Sequence, residues 1–125
     1  MDHSPGFLRL VESIQGRVTE IPVQEVAARQ AAGARLFDVR EDNEWAPAHA
    51  AGAEHLSKGI IERDIERTVP DPAAEILLYC GGGFRSALAT DALQRMGYTN
   101  VKSVAGGWRA WEAAGLPIER PDSAS

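Results

Sequence analysis

Cys80 is the only cysteine in the chain, and it opens the run Cys80-Gly81-Gly82-Gly83-Phe84-Arg85-Ser86. A thiol acts as a nucleophile in its thiolate form, which nearby hydrogen-bond donors and positive charge favour. Three glycines in succession let the backbone turn with positive φ and aim its N–H groups inward. Such successive amides form an anion-binding nest. The run follows Ile76-Leu77-Leu78-Tyr79, an unbroken apolar stretch of the kind found in strands covered on both faces. A helical pattern begins at Arg85, so free helix N–H groups should face the same point. A helix terminus alone stabilises an anion by only about 0.3–1 kcal/mol. The loop amides and Arg85 are expected to supply the rest. The candidate site is therefore Cys80 as nucleophile, with Gly81, Gly82, Gly83, Phe84 and Arg85 as the binding loop. Asp38 and Ser86 are candidates for support. A lone cysteine beside an apolar strand is more often a small buried hydrophobe. The glycines and the arginine set this one apart.

The remaining composition narrows the chemistry. One cysteine can form neither an internal disulfide nor a CxxC redox pair. With one cysteine and three scattered histidines there is no metal-ligand spacing, and no metal or cofactor is expected. The net charge is −5, from 13 Lys and Arg against 18 Asp and Glu, with no basic stripe for nucleic acid. No apolar run is long enough to span a bilayer. Met1-Asp2-His3-Ser4-Pro5 lacks the basic start and apolar stretch of a signal peptide, so a cytoplasmic location is expected.

The elements that must position the loop can be read in order. Ser4-Pro5 resembles a helix start, and Phe7, Leu10, Val11 and Ile14 fall on one helical face, with Gly16 as the stop. Val18–Ile21 is a strand candidate. Pro22 opens a helix with Val23, Val26 and Ala27 inward, closed by Gly33. Leu36-Phe37-Asp38-Val39 reads as a buried strand. A short helix spans 42–45, a strand 53–56, and a helix carries Ile61, Ile65 and Val69. After the loop, a helix over 85–96 carries Leu88, Ala92 and Met96, followed by a strand over 101–104. A last helix carries Trp108 and Trp111, both expected in the core. This alternation predicts one α/β domain with a central parallel sheet flanked by helices on both faces. Residues 1–16 are expected as an N-terminal helical extension, 17–118 as the domain, and 119–125 as a flexible tail. Ligands of such sheets bind beyond the carboxyl ends of the strands, which is where Cys80 and Asp38 fall.

Four segments, in order, resemble the rhodanese-like family. Cys80 to Arg85 resembles its six-residue active-site loop, Cys-x-x-Gly-x-Arg. Asp38-Val39-Arg40 resembles its Asp-Val-Arg signature. Glu44-Trp45 with His49 and Gly52-Ala53 resembles its next segment, with Ala48 and Ala50 where Gly and Ile are usual. Gly106-Gly107-Trp108-Arg109-Ala110-Trp111 with Gly115 and Pro117 resembles its C-terminal signature. The resemblance implies a rhodanese-like fold and a two-step reaction. Cys80 would take the outer sulfur of thiosulfate, or of a persulfide donor, as a persulfide. It would then pass that sulfur to cyanide, a thiol or a sulfur-accepting protein. Arg85 would attract or orient the anionic donor.

Other residues have plainer readings. Arg40 is expected to be structural, paired with Glu41 or Glu44. His49 and His55 are expected to be structural or surface groups, since a thiolate needs no further base. Glu62, Arg63, Glu66 and Arg67 read as a solvated helix face. Two other functions compete. Phosphatases and arsenate reductases on a related fold carry Cys-x5-Arg, one residue longer than the Cys-x4-Arg here. A binding or regulatory module could keep the fold without catalysis, but such a module needs neither Cys80 nor Arg85.

Overall fold

The computed structural model describes residues 3–121. Five parallel strands form the central sheet in the order β1-β6-β5-β2-β4: β1 (Thr19–Ile21), β2 (Arg35–Asp38), β4 (Glu54–His55), β5 (Ile76–Tyr79) and β6 (Val101–Val104). The helices are α1 (Pro5–Ile14), α2 (Val26–Ala31), α3 (Asp42–Trp45), α4 (Lys58–Thr68), α5 (Phe84–Arg95) and α6 (Gly107–Ala113). A separate two-residue pairing joins β3 (His49–Ala50) antiparallel to β7 (Ile118–Glu119).

The central strand shows why the sheet is covered twice. Successive side chains on a strand point to opposite faces. Ile76 and Leu78 enter a core with Ile61 and Ile65 of α4 and Ala89 and Leu93 of α5. Leu77 and Tyr79 enter a second core with Val26 of α2 and Trp111 of α6. All four β5 residues are buried, as their unbroken apolar run requires.

The sheet also sets where a ligand can sit. The connection from β2 leads toward β4, whereas the connection from β5 leads the other way, toward β6. The carboxyl ends of β2 and β5 therefore flank a topological switch point, where open α/β sheets bind ligands. Asp38 ends β2 and Cys80 follows β5 directly.

Several expectations need correction. Leu10 is exposed rather than part of the inner face of α1, which buries Val11 and Ile14. Ser4 has the extended backbone of a cap but makes no side-chain cap bond. The second helix begins as a 3-10 turn at Val23–Glu25, and Ala27 is exposed. On α5 the core takes Ala89 and Leu93, while Leu88, Ala92 and Met96 are only partly buried. Small residues at Ser86, Ala87, Ala89 and Thr90 let this helix lie close to the sheet. The tail expected from 119 starts as strand β7, because Glu119 pairs with His49. Its residues 122–125 lie outside those described.

One backbone approach holds the loop. Trp108 N–H donates to Cys80 O at 2.7 Å, and Arg109 N–H to Gly81 O at 3.1 Å. Gly107 has φ +50°, and a Cβ there would lie 2.2 Å from Cys80 O. Left-handed backbone costs an L-residue roughly 1–2 kcal/mol by itself, and the overlap with Cys80 adds to it. Gly107→Ala should therefore lose at least about 2 kcal/mol of stability. Urea unfolding would measure this, and an unchanged midpoint would show that the contact is not tight.

Candidate active site

Cys80 is 1% exposed and forms the floor of a pocket of about 720 Å³. Two amides point at its sulfur. Gly83 N–H donates to Sγ at 3.1 Å and Ser86 N–H at 3.3 Å. Gly83 has φ +103°, the only positive φ among the three loop glycines. That turn aims its N–H at the sulfur and begins α5. The amide donors to the sulfur itself are thus Gly83 and Ser86. The N–H groups of Gly81 and Gly82 have no acceptor among the described residues, and both residues line the pocket.

Behind the sulfur lies a pair of hydroxyls. Ser86 Oγ is 3.5 Å from Sγ, 3.2 Å from Gly83 O and 2.8 Å from Ser103 Oγ. Both serines are fully buried. Ser86 thus contributes its amide and its hydroxyl, in keeping with a supporting place. Ser103 on β6 was not foreseen, and a lone serine within a strand gives no signal in a sequence.

Arg85 is engaged differently from expectation. Its guanidinium binds the Glu44 carboxylate in a fork, Nη1–Oε1 at 2.8 Å and Nη2–Oε2 at 3.1 Å. Glu44, from α3, is therefore a further pocket residue. The hydrogen bond from Arg85 first, then that from the Glu41 amide, outweighs burial and holds the Glu44 carboxyl at about 2, against an ordinary 4.5. Arg85 is raised in turn, mainly by Glu44 and to a lesser degree by Cys80. The fork is turned to Glu44, while the guanidinium still lines the pocket beside Cys80.

Asp38 does not reach the pocket. Its buried carboxylate receives the Arg40 backbone N–H at 2.8 Å and the Arg40 guanidinium at 2.8–3.0 Å. Arg40 therefore pairs with Asp38 rather than with Glu41 or Glu44, and it also donates to Ala48 O at 2.8 Å. Its guanidinium lies 4.6 Å from the Trp108 ring centroid. Both Arg40 and Trp108 line the pocket, so Trp108 is a wall and not only core. Trp111 is buried, with its indole N–H on Pro117 O. His49 and His55 both stack on Trp45, and neither lines the pocket. Among the described residues no group of three or more His, Cys, Asp or Glu side chains is placed to hold a metal ion. No described helix is long and apolar enough to cross a membrane.

The chain matches the rhodanese-like domain family over residues 22–114. It is 36% identical over 86 residues to the thiosulfate sulfurtransferase GlpE of Vibrio cholerae, covering 69% of this chain and 79% of that protein. A GlpE from Actinobacillus pleuropneumoniae is 33% identical over 87 residues. Among solved structures, a protein of Rhodopseudomonas palustris described as a possible tyrosine phosphatase superposes with a TM-score of 0.79 at 26% identity, over 95% of this chain and 98% of its own. A thiosulfate sulfurtransferase of Pseudomonas aeruginosa gives 0.80 at 22% identity, over 89% of this chain and 22% of its own, and shows the shared fold. The chain belongs to the rhodanese-like domain family, and at the level of that family it is a sulfurtransferase.

The Glu44–Arg85 pair has a consequence in acid. A carboxylate held below its unfolded value contributes stability that is full above about pH 4.5 and is lost as pH falls through about 2. The side chains are about one-third exposed, so the contribution is set near that of a surface pair, about 1 kcal/mol. Glu44→Gln should be less stable than wild type by about that amount near neutral pH, with the gap closing toward about pH 2. Urea midpoints across that range measure it. A gap of constant size would show that the pair contributes no proton-linked stability.

Proposed function

We propose that Cys80 carries sulfur as a persulfide between thiosulfate and a small thiophilic acceptor. In the first step the Cys80 thiolate attacks the outer sulfur of thiosulfate. A sulfur–sulfur bond forms, the bond within thiosulfate breaks, and its electron pair leaves on sulfite. In the second step an acceptor, cyanide or a thiolate, attacks the terminal sulfur of the persulfide. The electron pair of the breaking bond returns to Cys80, and the acceptor departs as thiocyanate or as a new persulfide.

The observation that carries this reading is the pair of amides aimed at Sγ. Donors fixed before reaction stabilise charge that develops on the atom they face, at no cost in reorganisation. The Gly83 and Ser86 amides hold the inner sulfur, and the unengaged amides of Gly81 and Gly82 are available for the outer one. Phe84 lines the same mouth. Arg85 acts through its tie to Glu44, which braces the loop against α3. Phosphoryl chemistry fits less well. A phosphate cradle needs its arginine directed at the ligand oxygens, and here the fork is occupied by a carboxylate.

The test is a set of assays on the full chain. Wild type should form thiocyanate from thiosulfate and cyanide. Cys80→Ser should be lower by at least about 10³-fold while keeping its unfolding midpoint. Neither protein should hydrolyse p-nitrophenyl phosphate. Thiocyanate formation that survives in Cys80→Ser would remove the proposed mechanism. Phosphate hydrolysis without sulfur transfer would instead favour the phosphatase reading, which the name of the R. palustris neighbour suggests.

A further inference from the structure

The pocket above Cys80 is larger than this chemistry requires, and part of its wall comes from outside the family's domain. Its volume of about 720 Å³ lies within the ~300–1,000 Å³ typical of sites for drug-sized ligands, far beyond cyanide or thiosulfate. His3, Ser4 and Phe7 line it, and all three precede the family match at residue 22. They come from the start of α1, which lies against α5. α1 is held there by buried Val11 and Ile14, and just beyond it by the Arg17–Asp91 ion pair at 3.0 Å and a Gln94 bond to Arg17 O.

The wall is aromatic. The Phe7 and Phe84 ring centroids are 6.1 Å apart, edge to face, and His3 lies 5.2 Å from Phe7 and 4.8 Å from Phe84. Charge is equally uneven around the pocket. Arg40 is neutralised by Asp38 and Arg85 by Glu44. Arg109, exposed at the first turn of α6, lines the same pocket, and its side chain has no partner among the described residues. It is the cation left to meet an incoming anion.

We infer that Phe7, Phe84 and Arg109 form an acceptor subsite for an organic thiol with an aromatic or other apolar body and a carboxylate. The apolar body packs on Phe7 and Phe84, the carboxylate meets Arg109, and the thiolate reaches the sulfur on Cys80. This rests on the persulfide reading. The transfer balances without a further reagent: the acceptor sulfur bonds to the terminal sulfur, the persulfide bond breaks, and its electron pair returns to Cys80.

The experiment follows discharge of thiosulfate-loaded full-length protein by 4-mercaptobenzoate, uncharged 4-methylbenzenethiol and cyanide. Rates for Phe7→Ala and Arg109→Ala are each divided by the wild-type rate with the same acceptor, which cancels intrinsic reactivity. For Phe7→Ala, the loss with both aryl thiols should exceed the loss with cyanide by about tenfold. For Arg109→Ala, the loss with 4-mercaptobenzoate should exceed that with 4-methylbenzenethiol by about fivefold. In parallel, unreactive 4-methylbenzoate is titrated into resting wild type and both variants by NMR. Saturable shifts at Phe7, Phe84 and Arg109 should appear in wild type and weaken in each variant. Equal losses for all three acceptors, no losses, or shifts that do not saturate would each overturn the subsite. If wild type accepts no sulfur at all, the persulfide reading fails, and the titration alone then decides the subsite.

Discussion

The carbonyl of Cys80 accepts the Trp108 amide at 2.7 Å, across a gap that only a glycine at 107 leaves open. This contact, with its neighbour from Arg109 to Gly81 O, ties the end of β5 to the start of α6. It satisfies amides at the first turn of α6, which otherwise lack partners. It also fixes the direction in which the chain leaves β5. Gly83 then turns with positive φ, and the Gly83 and Ser86 amides converge on the sulfur. A Cβ at Gly83 would come within 3.3 Å of Gly106 N, so the two glycine turns pack against each other. The sulfur's environment is thus a product of backbone packing between adjacent parallel strands.

Apart from exposed Arg109, charge around the pocket is arranged in local pairs. Asp38 with Arg40 and Glu44 with Arg85 each satisfy themselves at hydrogen-bond distance. Burial, then the neighbouring Asp38 charge, pushes the Tyr79 hydroxyl up, so it stays protonated while it accepts the Ala50 amide. The pairs brace α3 and the loop after β2 against the sheet and neutralise Arg40 and Arg85. Hydrogen-bond donors on the main chain are what faces the Cys80 sulfur at close range, and preorganised donors of this kind stabilise charge on the atom they face.

Much of this was legible in the sequence, for physical reasons that differ by segment. Ile76–Tyr79 and Val101–Val104 are strands at the bounds their apolar patterns give, because burial on both faces leaves little freedom. The position of Cys80 followed from that strand and the glycines after it. The partners of charged residues were not legible. Whether Arg85 reaches a ligand or Glu44 depends on where α3 packs, 41 residues earlier in the chain. Trp108 and Trp111 share helical spacing and both pack on the core, yet only Trp108 also lines the pocket. Strands β3 and β7 have two residues each and carry no periodicity to read. The aromatic wall from α1 was likewise invisible, since Phe7 fits an amphipathic face whatever it packs on.

In the proposed reaction Cys80, held by the Gly83 and Ser86 amides, stores one sulfur atom between two half-reactions. Intact-mass spectrometry under non-reducing conditions tests it most directly. Wild-type protein is treated with thiosulfate and then freed of small molecules. The expected spectrum shows the mass of one added sulfur, lost on addition of cyanide and absent from Cys80→Ser treated in the same way. Protein that turns over thiosulfate and cyanide while its mass stays unmodified at every stage would rule out the Cys80 persulfide, because sulfur would then pass directly from bound donor to acceptor.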